Sequence, residues 1–233
     1  MPPLAERVRT LASAASVTKV TVDGVPYPAR GGVDHRGRPV VLVRRGEPLH
    51  RLPEDAVVAV NLTATRLLGG VEHPRGLVEV QGWTQAVPER DLRPTAVAVA
   101  ERCPDEGLFE ALERHGDPSA PLLLRLDVGQ VVYLTGEESG VLDADDYLDA
   151  EPDPLLETAE RVLAHVNGTH REQLSGGVAR LLGRPAGEVW LWELDRYGAT
   201  VRADGTLVRV GWEQPARSGR CLETALRGLL CVC

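Results

Sequence analysis

Two of the six histidines, His165 and His170, flank Asn167 in the run Leu163-Ala-His-Val-Asn-Gly-Thr-His170. On a regular helix, positions five apart lie about 140° apart around the axis. The spacing therefore predicts that the two imidazoles diverge and do not chelate one ion as an i, i+4 pair would. His165 falls on the polar side beside Arg161 and Glu172. His170 falls with Leu163, Val166 and Leu174, where a hydrogen-bonded structural histidine is expected. His35 belongs to a turn composition, Asp34-His-Arg-Gly37, and His115 precedes Gly116 at a helix end, where a cation suits the dipole. His50 follows Pro48-Leu49 in a loop and fits either role. His73 is the better candidate for chemistry. It sits in Gly69-Gly-Val-Glu-His-Pro-Arg-Gly76, a flexible connection leading into a central strand that bears Trp83, and Pro74 holds residue 73 extended. Arg66 and Arg75 flank it as planar partners for anions, and Glu72 is a carboxylate able to accept a proton. Such a segment suits metal ligation by imidazole beside anion recognition; a solvated surface loop is the alternative reading.

Other chemistries lack their signatures. There is no glycine-rich phosphate loop of the P-loop or dinucleotide type, and no nucleophile elbow. The cysteines are Cys103, Cys221, Cys231 and Cys233. Cys231 and Cys233 could bind a soft metal with Cys221, although a frayed terminus is the simpler reading. No apolar run resembles a signal peptide or membrane span, so a cytoplasmic protein with reduced thiols is expected. The formal charge is −8, and residues 126–160 hold eleven acids with no Lys or Arg. That tract repels nucleic acid and reads as a solvated linker or loop, which leaves a small molecule as the expected partner.

The elements that must position these residues follow from hydrophobic periodicity. With one Phe and one Met, Val, Leu and Ala must fill the core. Residues 4–15 read as an amphipathic helix carrying Leu4, Val8, Leu11, Ala12 and Ala15 on one face. Period-two runs follow at residues 17–22, 39–44, 56–62, 76–87, 122–128 and 130–135, separated by turn signals such as Asp23-Gly24, Gly69-Gly70 and Val128-Gly129. Helical patterns at 94–102 and 106–115 interrupt them, and six short strands suggest a small antiparallel barrel. Glu151-Pro-Asp-Pro154 opens a second helical stretch, with a bend expected at Gly176-Gly177. Strands at 189–194, 199–202 and 207–212 and a closing helix through Leu222, Leu226 and Leu230 complete an α-βββ-α order. The predicted class is α+β, with domains over 1–150 and 151–233.

His165, Asn167 and His170, followed by Asp195-Arg196-Tyr197-Gly198 at a strand end, carry a resemblance. The chain resembles the FMN-binding split-barrel family, related to pyridoxamine-phosphate oxidases, in its haem-utilisation branch with a C-terminal domain. The likeness covers about residues 154–230 by motif and 4–136 by strand order. It implies an N-terminal split β-barrel, a homodimer, and ligand sites in clefts where two barrels meet. It also implies haem b as cofactor, with FMN the alternative. Within that resemblance His73 becomes the axial metal ligand, Arg66 and Arg75 the propionate or carboxylate partners, and Glu72 the proton acceptor. Arg44, Arg45, Thr63, Thr65 and Arg66 would have to grip a flavin phosphate, and a single lysine makes that match poor. The concrete activity implied is that of the piperazate synthases, in which N5-hydroxyornithine closes to piperazate with loss of water. The competing readings are a non-enzymatic haem-binding or delivery protein, and a flavin-dependent oxidoreductase or haem-degrading oxygenase.

Overall fold

The computed structural model describes residues 1–136 and 138–230. The chain divides into two compact units, one spanning 4–152 and the other comprising 1–3 with the residues from 153 onward.

The first unit opens with helix α1 (Leu4–Ala14) and strands β1 (Ser16–Val22), β2 (Val25–Pro28), β3 (Arg30–Val33) and β4 (Pro39–Val43). Strands β5 (Val57–Leu68) and β6 (Val71–Ala86) form a long hairpin, followed by helices α2 (Glu89–Ala100) and α3 (Glu106–Glu113). Strands β7 (Leu122–Thr135) and β8 (Ser139–Asp143) and helix α4 (Ala144–Asp149) complete it. All pairings are antiparallel, in the order β2-β1-β5-β6-β7-β4-β3, with β8 paired to β7 beyond the reach of β4. β2 and β3 terminate opposite edges of this order although Ala29 is the one residue between them. The sheet must therefore curl until its edges meet.

Alternation fills the interior. Val58, Val60, Leu62, Val78, Val80, Val131 and Tyr133 point inward against Val8, Leu11 and Ala12 of α1. Each fully buried aliphatic side chain of this kind contributes ~1.5–3 kcal/mol. A second, smaller core lies where Leu92, Ala96 and Val99 of α2 and Leu108 of α3 cover Val40, Leu42 and Leu123.

The expectation of two strands at 122–128 and 130–135 is corrected to one continuous β7. Val128-Gly129 is a bulge and not a turn: the register shifts at Gln81/Gly82, and the Trp83 ring lies where a Cβ on Gly129 would stand. A Cβ on Gly82 would in turn overlap the Asp127 carbonyl. Glycine at both positions lets the backbones approach closely.

Beneath α1, buried Arg9 donates through Nε to Ala150 O at 3.0 Å, and its guanidinium lies over the Tyr147 ring. Fully buried Tyr147 donates its hydroxyl to Gly37 O at 2.8 Å, and burial pushes its phenol pKa up. Gly37 is held at φ +83° in the β3–β4 turn, and any Cβ there would overlap the Arg9 guanidinium.

The second unit contains α5 (Leu156–Thr169), α6 (Arg171–Leu182), β9 (Val189–Asp195), β10 (Gly198–Ala203), β11 (Thr206–Gly211) and α7 (Gly219–Leu230). Its sheet runs β11-β10-β9. The first helix of the expected α-βββ-α order is thus two helices, and they break at His170 and not at Gly176-Gly177. Gly177 lies inside α6 because α7 passes close by; a Cβ there would overlap Leu229 O.

Replacing Gly37 with Ala should cost about 2 kcal/mol or more, from left-handed backbone strain and displacement of Arg9. Denaturant unfolding checks this, and an unchanged midpoint would refute the packing described.

Candidate functional site

The stretch bearing His73 is strand, not the flexible connection expected. Gly69 and Gly70, with φ +58° and +84°, make a two-residue hairpin turn in the left-handed conformation that glycine adopts freely. The register then pairs Leu68 with Val71, Leu67 with Glu72, Arg66 with His73 and Thr65 with Pro74, before shifting so that Ala64 meets Gly76. β1 reaches along β5 only to Thr63, and β7 reaches along β6 only to Gly76. Among the described residues, 64–75 therefore form a two-stranded ribbon that runs past both neighbouring strands.

Directly opposed residues share a face of a ribbon, and adjacent ones do not. Arg66 and His73 stand side by side on one face; Arg66 is 6% exposed and His73 is half-buried. Arg75 is the extra residue of the bulge. Glu72 lies on the opposite, solvent-exposed face with Thr65, which donates its hydroxyl to Glu72 Oε1 at 2.6 Å. The expected grouping is therefore corrected: the ribbon joins His73 to Arg66 but turns the Glu72 carboxylate away from both. Sequence reading missed this because it took the segment for a loop, where alternation does not apply.

The residues weighed for a flavin phosphate are not gathered. β4, which ends beside Arg44, lies three sheet positions from β5 with β6 and β7 between them, about 14 Å at ordinary strand spacing. Arg44 is held by Asp105, whose carboxylate also takes Arg30. Burial pushes the Asp105 pKa up, but the Arg44 guanidinium, the Gly107 N–H and Arg30 outweigh it and keep it below the usual carboxylate range. Thr63 exchanges a hydrogen bond with Thr18, and Thr65 and Arg66 face opposite ways.

His165 and His170 do not diverge as predicted. α5 ends at Thr169, and His170 leaves helical geometry with φ −118° and ψ +24°. Its ring returns to meet His165 edge-on, with centroids 4.9 Å apart at 82°. Among the described residues no cluster of three or more His, Cys, Asp or Glu side chains could hold a metal. Cys231 and Cys233 lie outside the described residues.

The rest of the motif is architectural. Asn167 accepts from Leu191 N–H and donates to Leu191 O, both at 2.9 Å, beside the register shift of β9 against β10. Asp195 Oδ1 accepts from Tyr197 N–H and from Arg209, and buried Asp153 accepts from Arg196 N–H. These bonds tie the β9–β10 turn to Arg209 of β11 and to the segment leading into α5.

His50 and His115, separated by 64 residues of chain, line one cleft near the C-terminal end of β6. No helix among the described residues is long and apolar enough to cross a membrane.

No protein-family pattern matches the chain, and no curated protein matches it in sequence. Solved structures do. A heme-binding protein from Mycobacterium smegmatis is similar over 99% of this chain and 97% of its own, with 23% identity and a TM-score of 0.62. A protein of unknown function from Agrobacterium tumefaciens has the same coverages, with 19% identity and a TM-score of 0.40. An FAD- and heme-binding protein from Mycobacterium smegmatis matches 60% of this chain and 80% of its own, at 19% identity and a TM-score of 0.35. The first likeness establishes the fold. It is α+β, a curled antiparallel split-barrel sheet with helices.

Since Asn167 satisfies both backbone groups of Leu191, Asn167→Ala should destabilise the protein by about 2 kcal/mol. Chemical denaturation measures it; a change below about 0.5 kcal/mol, the scatter of an ordinary surface substitution, would contradict the clamp.

Proposed function

We propose that this protein binds haem through its β5–β6 ribbon, with His73 as the axial ligand. The observation that carries this reading is the cross-strand pairing of His73 with Arg66, which presents an imidazole and a guanidinium on one face. That donor set fits an iron porphyrin: imidazole ligates the metal, and a planar guanidinium matches a propionate. Arg75, at the bulge beside them, is the second anion partner. The solved heme-binding protein with the same fold is consistent with this reading. The scattered Arg44, Thr63 and Thr65 favour haem over FMN.

When bound, haem supplies a Lewis-acidic, redox-capable iron. Of the chain's own residues, His73 would hold the iron and Arg66 would pair with a propionate. Glu72, on the far face, takes no part. Any proton accepted from a substrate goes to another group.

The assembly we propose is a homodimer. Cross-strand register places Val57 beside Trp83, Leu77 beside Leu134, and Val132 beside Val141 on the outer face of β5–β8. Val57, Leu134 and Val141 are each more than half exposed, so a second copy would bury two apolar patches on this face, with Glu79 and Gln81 between them. Sedimentation should give about twice the monomer mass, and a monomer would remove this part of the reading.

The finer proposal is an enzyme acting on a small hydroxylated amine, N5-hydroxyornithine closing to piperazate. It rests on the resemblance to the haem-utilisation branch, to which the piperazate synthases belong, and on no motif specific to them. The reaction would break the N–O bond, join the two nitrogens and release one water, with no external reductant. Mass detection of a product lighter by one water tests it, and an unconverted substrate leaves a haem carrier.

Haemin titrated into the apoprotein should produce a Soret band saturating at one per chain. His73→Ala should shift or abolish that band, whereas Glu72→Gln should leave it unchanged. A wild-type spectrum in the His73 variant, or flavin bands in the purified protein, would overturn the assignment.

A further inference from the structure

At the end of β6 away from the ribbon, the first unit contains a cleft of about 330 Å³. Its floor is the small core under α2 and α3, namely Val87, Leu92, Ala111 and Leu123, each at most 7% exposed. The cleft exists because β6 ends at Ala86, where the chain turns toward α2, while β7 begins at Leu122 and continues past it to pair with β4. From His73 to Ala86 is about 40 Å of strand at ordinary rise, so the cleft is separate from the ribbon site.

The mouth is fixed by polar bonds. Gly116, at φ +86°, turns the chain after α3. Arg114 is gripped by Glu110 at 2.5 Å, Asp117 at 2.6 Å and the Ser119 hydroxyl at 2.6 Å, and Asp117 also accepts from Ser119 N–H at 2.7 Å. Two carboxylates already match the single guanidinium, so it offers no spare positive charge to an anion. The remaining polar groups on the lining are the imidazoles of His50, half-buried on a short 3₁₀ turn (Pro48–Arg51), and His115 at the rim.

We infer that this cleft is a second binding site, for a small, neutral, hydroxyl-bearing aromatic molecule of one or two rings. The volume sets the size: a cavity of about 150 Å³ accepts benzene, and this one is roughly twice that. Apolar walls with few polar groups are the usual composition of a preformed small-molecule site. Each imidazole can donate at one nitrogen and accept at the other, which suits a hydroxyl that must do both. The neutralised Arg114 disfavours a carboxylate or phosphate ligand. This inference does not depend on haem at His73.

The test is fluorescence titration of the full-length protein with 2-naphthol. Saturable binding at one per chain is expected, with naphthalene, which lacks the hydroxyl, about 25-fold weaker, about fivefold for each of the two hydrogen bonds lost. Ala111→Leu, which fills the cleft from α3, should abolish binding while the haemin spectrum stays unchanged. His50→Ala and His115→Ala, at the margin of the fold, should each weaken 2-naphthol about fivefold and leave naphthalene unaffected. No saturable binding to the wild type, undiminished binding by Ala111→Leu, or loss of binding in His73→Ala would each overturn the inference.

Discussion

Ala29 is the whole of the connection between β2 and β3, yet those strands terminate opposite edges of the sheet order. Laid flat, seven strands at ordinary spacing would put the two edges about 29 Å apart, while one residue of chain spans only about 7 Å. The sheet therefore has no open form. It curls into a half-barrel, and the curl creates the interior that Val-rich alternation fills. Closure also demands a sealed end, which Arg9, Tyr147 and Gly37 supply by joining α1, α4 and the β3–β4 turn. The same closure explains how a chain with one Phe and one Met builds a core. A narrow barrel needs many small branched side chains more than a few large rings.

The proposed site depends on register within that frame. β5 and β6 run past the ends of their pairings with β1 and β7, so their tip becomes a ribbon whose two faces carry different chemistry. A two-residue turn at Gly69-Gly70 fixes which residues oppose one another. Because side-chain period is two, a slip of one residue would exchange Arg66 and His73 for Leu67 and Glu72. Sequence proximity put Glu72 beside His73 as a proton acceptor; the pleat separates them.

How much of this was legible in the sequence follows from where periodicity is strong. The interior stretches of β5 and β6 alternate cleanly and β4 is an unbroken apolar run, and α+β class and a barrel could be read from them. The ribbon could not, since Thr65, Arg66, Glu72 and Arg75 interrupt the apolar alternation on both sides of the Gly69-Gly70 turn signal. Gly129 resembled a turn because the Trp83 ring that covers it comes from another strand. The break at His170 was hidden because apolar periodicity continues on both sides of it. The approach of His50 to His115 is purely tertiary: no local pattern links a 3₁₀ turn after β4 to the end of α3.

The chain's six histidines thus divide into one proposed metal ligand on the ribbon, two on a separate cleft, an edge-on pair beside a structural asparagine, and His35, exposed in a turn. A crystal structure of the haemin-loaded protein tests the central claim most directly. It should show iron bonded to the His73 imidazole, with a propionate on Arg66 and the porphyrin on the face of the ribbon away from Glu72. Iron held by any other residue, or a porphyrin seated on the Thr65–Glu72 face, would contradict the account.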